Sequence, residues 1–105
     1  MKVLCICQGG NVRSVALATE LKQRHRVDAL AAGYVKNRPE TLRLLMEWAD
    51  RIVVMRDIYR GHVPAEFSSK VTVAEVGEDT YGSPTHRDLK RQVREAARLL
   101  VGDGR

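Results

Sequence analysis

Nowhere does this sequence carry an apolar run approaching the roughly 20 residues needed to span a bilayer, so no membrane segment is expected. Cysteine is scarce, with only two in the chain. That is too few for a disulfide scaffold, and no histidine lies near enough to either to suggest a zinc cluster, so no metal is expected. Low-complexity stretches and internal repeats are missing too, which sets aside disordered and collagen-like chains. A strand-like run begins at Lys2 with no apolar leader ahead of it, and a cytoplasmic location is therefore expected.

What is present suits one small globular domain spanning residues 1–105, with 44% hydrophobic and 30% charged residues. Eighteen Lys and Arg against 13 Asp and Glu give a net charge of +5. This excess favours anionic partners without choosing between nucleic acid, a phosphorylated protein and a small phosphate ester.

Hydrophobic periodicity alternates between two patterns along the chain. Residues 2–7 (KVLCIC) read as a strand buried on both faces, and residues 13–25 as a helix with Val15, Leu17, Ala18 and Leu21 inward. Residues 27–32 form a weaker strand closed by Gly33. A second helix runs from Arg38-Pro39 to Ala49, with Leu42, Leu45, Met46 and Ala49 on one side and Trp48 packing it on the sheet. Residues 51–55 (RIVVM) are the clearest third strand. Residues 56–69 hold Gly61, Pro64 and a Ser-Ser pair, which predicts a connection with at most one helical turn. Residues 70–76 are a fourth strand. The closing helix, 85–101, turns Leu89, Val93, Ala96, Ala97 and Leu100 inward and a stripe of arginines outward, most simply a solvated face. Strands alternating with helices imply an α/β domain with parallel pairing through right-handed crossovers.

The chemistry concentrates in Cys7-Gln8-Gly9-Gly10-Asn11-Val12-Arg13-Ser14, a C-x5-R-S sequence between the first strand and the first helix. Successive N–H groups of a Gly-rich turn can converge on one point, and the following helix adds its positive end. Together they form a cradle for a tetrahedral dianion. Arg13 closes it, because a guanidinium grips two phosphate oxygens with parallel hydrogen bonds. Gly9 and Gly10 allow close backbone approach. Cys7 lies at the floor, where the same N–H groups favour a thiolate nucleophile aimed at phosphorus. Ser14 can donate a hydrogen bond to that sulfur when it leaves. The competing description is a buried strand-end cysteine before an ordinary turn. Cys5 is read as core.

With these residues in place, the sequence resembles the low-molecular-weight protein tyrosine phosphatase family. The VLCIC strand running into C-x5-R-S, the Ala32-Gly33 pair, the segment ADRIVVM at 49–55 and a late acidic residue occur in the same order. The resemblance implies a doubly wound, flavodoxin-like four-stranded sheet of order 2-1-3-4. It also implies hydrolysis of phosphate monoesters through a phosphocysteine intermediate, with no cofactor and no metal. Substrates would be phosphorylated proteins or small phosphate monoesters, and nucleic acid is not expected. A departing oxygen needs a proton, and the family supplies it from an Asp-Pro-aromatic sequence after its last strand. Here Glu78-Asp79-Thr80-Tyr81 occupies that place, so Asp79 is the expected general acid and base, with Glu78 and then His86 as substitutes. Tyr81 matches the family's aromatic wall beside the substrate.

The sequence departs from the family in four places. Gly10 stands where the loop ordinarily has asparagine, and Val12 where many members carry a second cysteine. Thr80 replaces proline. The long cleft-shaping segment after the second strand is reduced to residues 34–38, from which Tyr34 and Arg38 are placed to reach the site. His25 and His62 are read as surface residues. Three other functions share the architecture. A phosphocysteine carrier resembling the IIB components of sugar phosphotransferase systems lacks the closing arginine. A thioredoxin-coupled arsenate reductase needs later cysteines, and none follows Cys7. A non-catalytic phosphate or phosphopeptide binder would keep the cradle without turnover.

Overall fold

The computed structural model describes residues 1–9, 12–76 and 82–102. Its centre is β1 (Lys2–Cys7), which pairs in parallel with β2 (Asp28–Gly33) on one side and β3 (Arg51–Val54) on the other. The short β4 (Val71–Val73) adds to β3, also in parallel, giving the order β2-β1-β3-β4. Three α-helices connect or follow the strands: α1 (Arg13–His25), α2 (Pro39–Trp48) and α3 (Arg87–Val101).

A central parallel strand must be apolar on both faces, and β1 is. Val3, Cys5 and Cys7 enter one core with Leu17 and Leu21 of α1 and Leu89 and Val93 of α3. Leu4 and Ile6 enter the other with Met46 of α2, Ile52 and Val54. The shared face of Cys5 and Cys7 is the one their spacing implies. Within α1 the inward set includes Ala16, while Val15 is only half-buried. In α2 and α3 the apolar faces are those expected, and Trp48 packs against the second core.

The connection after β3 differs from its sequence reading. It contains two 3-10 helices, Asp57–His62 and Ala65–Lys70, where one turn at most was expected. Tyr59, Val63 and Phe67 recur at four-residue spacing and are all buried against the second core. Gly61 and Pro64 interrupt the α-helical pattern, so the segment covers the sheet in short tight turns. The fourth strand is shorter than residues 70–76 for a related reason. Its partner β3 ends at Val54, and after the bond from Ala74 N–H to the Val54 carbonyl (2.9 Å) no further β3 ladder remains to pair with.

Parallel pairing places every strand's C-terminal end at one edge. Cys7 stands opposite Gly33, Ile6 opposite Val54, and Val54 opposite Val73. The segments that follow β2 and β3 meet the two ends of the loop that begins at Cys7, at the edge where doubly wound sheets hold ligands.

Candidate active site

Cys7 is the last residue of β1, and Arg13 and Ser14 are the first two of α1, so strand and helix together fix both ends of the C-x5-R-S segment. Gly10 and Asn11 lie outside the described residues. The Cys7 Sγ lies 3.2 Å from Ser14 Oγ, within hydrogen-bonding reach for sulfur. Both side chains are buried, and Arg13 is wholly buried beside them. No acidic residue occupies the first turn of α1, whereas α2 has Glu40 and α3 has Asp88 there. The positive end that faces the loop is thus the one the sequence leaves uncompensated by its own first turn.

The short segment 34–38 meets the start of this loop through its first two residues. Tyr34 N–H donates to the Cys7 carbonyl (3.3 Å) and Val35 N–H to that of Gln8 (3.1 Å). Asn37 closes the segment into a turn, since its Oδ1 accepts from Gly33 N–H at 2.9 Å and its own N–H donates to the Gly33 carbonyl at 3.1 Å. Tyr34 is thereby held, half-buried, next to the end of β1. Arg38, by contrast, stands exposed at the start of α2.

An aromatic group surrounds Tyr34. Its hydroxyl donates to the Tyr59 carbonyl (3.0 Å), its ring meets that of Tyr59 edge-on at 5.3 Å, and the His62 ring lies 4.5 Å away. Burial, then the neighbouring Tyr59 and Cys7, push the Tyr34 phenol well above its ordinary value. Beside Tyr34 and His62 opens a cavity of about 260 Å³ lined also by Asn37, Pro39, Leu42 and Met46.

Tyr59 and His62 were not singled out for the site in the sequence, where His62 reads as a surface residue. His62 is indeed exposed, yet it stacks on Tyr34. The Tyr59 hydroxyl accepts from Arg13 Nη2 at 3.3 Å across a separation of 46 residues, and no local pattern announces such a contact. The only available signal was the recurrence at 59, 63 and 67, which marks the segment as buried without indicating what it meets.

Cys5 behaves as core. Burial, with Cys7 close by, pushes its thiol up to about 12 and keeps it protonated at neutral pH. His86 caps α3, its Nδ1 accepting from Asp88 N–H at 3.2 Å. Asp79, Glu78 and Tyr81 lie outside the described residues.

No protein-family model matches the sequence, and no curated protein does. Solved structures do resemble the chain. The tyrosine phosphatase Wzb from Escherichia coli K30, in complex with phosphate, has a TM-score of 0.73 at 15% identity, over 94% of both chains. A low-molecular-weight protein tyrosine phosphatase from Bacillus subtilis has 0.68 at 21% identity over the whole of both. A mutant of the arginine phosphatase YwlE with a phosphorylated active-site serine has 0.66 at 21% identity, covering 99% of this chain and 98% of its own. Four parallel strands in the order β2-β1-β3-β4, with the cysteine loop between β1 and α1, give this chain the fold of the low-molecular-weight tyrosine phosphatases.

Proposed function

We propose that the protein hydrolyses phosphate monoesters through a phosphocysteine on Cys7, and that residues 1–105 act as one functional unit. One observation carries the reading. A strand-end cysteine, a serine 3.2 Å from its sulfur and a wholly buried arginine meet at the mouth of α1, in a fold shared with a phosphate-bound phosphatase.

Phosphoryl transfer asks a protein mainly for positioning and for compensation of charge on the equatorial oxygens. Residues 8–14 would supply both, the backbone N–H groups of Gln8, Gly9, Gly10, Asn11 and Val12 with the helix end cradling the phosphate and Arg13 gripping two of its oxygens. The Cys7 thiolate attacks phosphorus in line as the bond to the leaving oxygen breaks, and Asp79 protonates that oxygen. Water then attacks the phosphocysteine, Asp79 accepts its proton and the P–S bond breaks. Ser14, within reach of the sulfur, donates a hydrogen bond to the departing thiolate.

Tyr34, and with it Tyr81, would form the wall beside the phosphorylated group. The fold's relatives include both a tyrosine and an arginine phosphatase. A cleft segment as short as 34–38 would suit phosphorylated proteins as well as small esters. A catalytic thiol must also stay reduced, which favours a cytoplasmic location.

Turnover of a small aryl phosphate, inhibited by vanadate, is the direct test. Cys7→Ser should abolish it, and Asp79→Ala should slow it by about 10²- to 10⁴-fold with poor leaving groups. Tight phosphate binding without turnover would make the chain a binding module instead.

A further inference from the structure

We infer that Tyr59 is a positioning residue for the phosphate site, holding the Arg13 guanidinium in the orientation that grips the anion. The inference rests on the phosphate-cradle reading of the loop and adds to it a residue from a distant part of the chain.

A guanidinium that clamps two oxygens must present one edge to the ligand and be fixed along another, because a free arginine loses rotamer entropy on every binding event. Arg13 is wholly buried. Its Nη2 donates to the Tyr59 hydroxyl at 3.3 Å, and its Cζ lies 5.8 Å from the centre of the Tyr59 ring. Tyr59 therefore offers both an oxygen acceptor and an aromatic surface to one guanidinium. The hydroxyl has a further advantage as a partner. It orients the N–H group without adding a negative charge, so it does not offset the field that Arg13 directs at a dianion.

Tyr59 can serve as a support because it is itself immobilised. Its ring is buried, its N–H donates to the Arg56 carbonyl at 3.0 Å, and its own carbonyl receives the Tyr34 hydroxyl at 3.0 Å. The Tyr34 ring also packs edge-on against it. Since Tyr34 N–H is bonded to the Cys7 carbonyl, the turn after β2 and the 3-10 helix after β3 brace the two ends of one loop. Tyr59 touches no reacting atom in this scheme and acts through Arg13.

Tyr59→Phe removes the acceptor and keeps the ring. Inorganic phosphate binding, measured by titration calorimetry, should weaken by about 3- to 10-fold, the span expected for one lost hydrogen bond. The KM for an aryl phosphate should rise with it. The same substitution in an Arg13→Lys background should change the phosphate Kd little, because the group it positions is gone. A merely structural tyrosine would weaken binding equally in both backgrounds. Either that result or an unchanged phosphate Kd in Tyr59→Phe overturns the inference. Wild-type protein that binds phosphate but never turns over an ester overturns the hydrolase reading alone, since the binding comparison still tests Tyr59. Wild-type protein that binds no phosphate overturns both.

Discussion

Two cysteines two residues apart on one strand face opposite fates. Cys5 sits at mid-strand with no exposed surface, and burial holds its thiol near 12 against an ordinary 9.0. Cys7 ends the strand, and its sulfur, though part of the same core, also meets the Ser14 hydroxyl. The raised Cys5 value has a consequence for stability. An unfolded chain releases that proton from about pH 9, whereas the folded one retains it until about 12. The stabilising contribution is thus complete below the unfolded value and is lost as pH climbs through that window. Denaturant midpoints at pH 8 and pH 10 should show wild type losing more stability than Cys5→Ala over the same interval. An equal loss in both proteins would count against the buried, protonated thiol. At this scale the sequence was most legible where chemistry is local. C-x5-R-S places Cys7, Arg13 and Ser14 by spacing alone, because strand and helix fix the ends of a short loop. Tyr59 was illegible because its meeting with Arg13 is made by sheet topology, 46 residues away.

Among the elements, two helix ends are finished by devices that composition does not advertise. The helix α1 ends on Arg26 in the left-handed region, at φ 54°, where glycine is the usual residue. A side chain there costs about 1–2 kcal/mol, part of which glycine would return through its greater freedom when unfolded. Arg26→Gly should therefore raise the melting temperature modestly, by less than about 1 kcal/mol in stability. A lower melting temperature would show that the arginine contributes something beyond its backbone. The helix α2 ends under Lys70, whose Nζ donates to the carbonyls of Met46 (2.9 Å) and Ala49 (2.8 Å). A half-buried ammonium on the last carbonyls of a helix suits both their lone pairs and the dipole. Lys70→Met should cost about 1–2 kcal/mol, read from denaturant unfolding, because the carbonyls lose a charged partner. No change would mean that solvent satisfies them equally well. Neither device was visible beforehand. The apolar stripe of α2 was visible, since Leu42, Leu45, Met46 and Ala49 recur at helical spacing, and so was the cover of the sheet by α1 and α3.

At the scale of the molecule, alternation of strand and helix was enough to forecast parallel pairing, and parallel pairing gathers Cys7, Gly33, Val54 and Val73 at one edge. The net positive charge proved less informative than its size suggested. On α3, Arg91 pairs with Asp88 and Arg98 with Glu95, and on α1 Arg24 reaches Glu20, so much of the arginine face answers to its own helix. What distinguishes Arg13 is complete burial at the start of α1, next to the serine that meets the Cys7 thiol. The central claim is that this thiol carries the phosphoryl group during turnover. Acid-quenching the protein during hydrolysis of an aryl phosphate, followed by peptide mass spectrometry, tests it directly. The expected result is one added phosphoryl group on the peptide that contains Cys7, absent from Cys7→Ala protein under the same quench. Turnover with an unmodified Cys7 peptide, or with undiminished rate in Cys7→Ser, would contradict it.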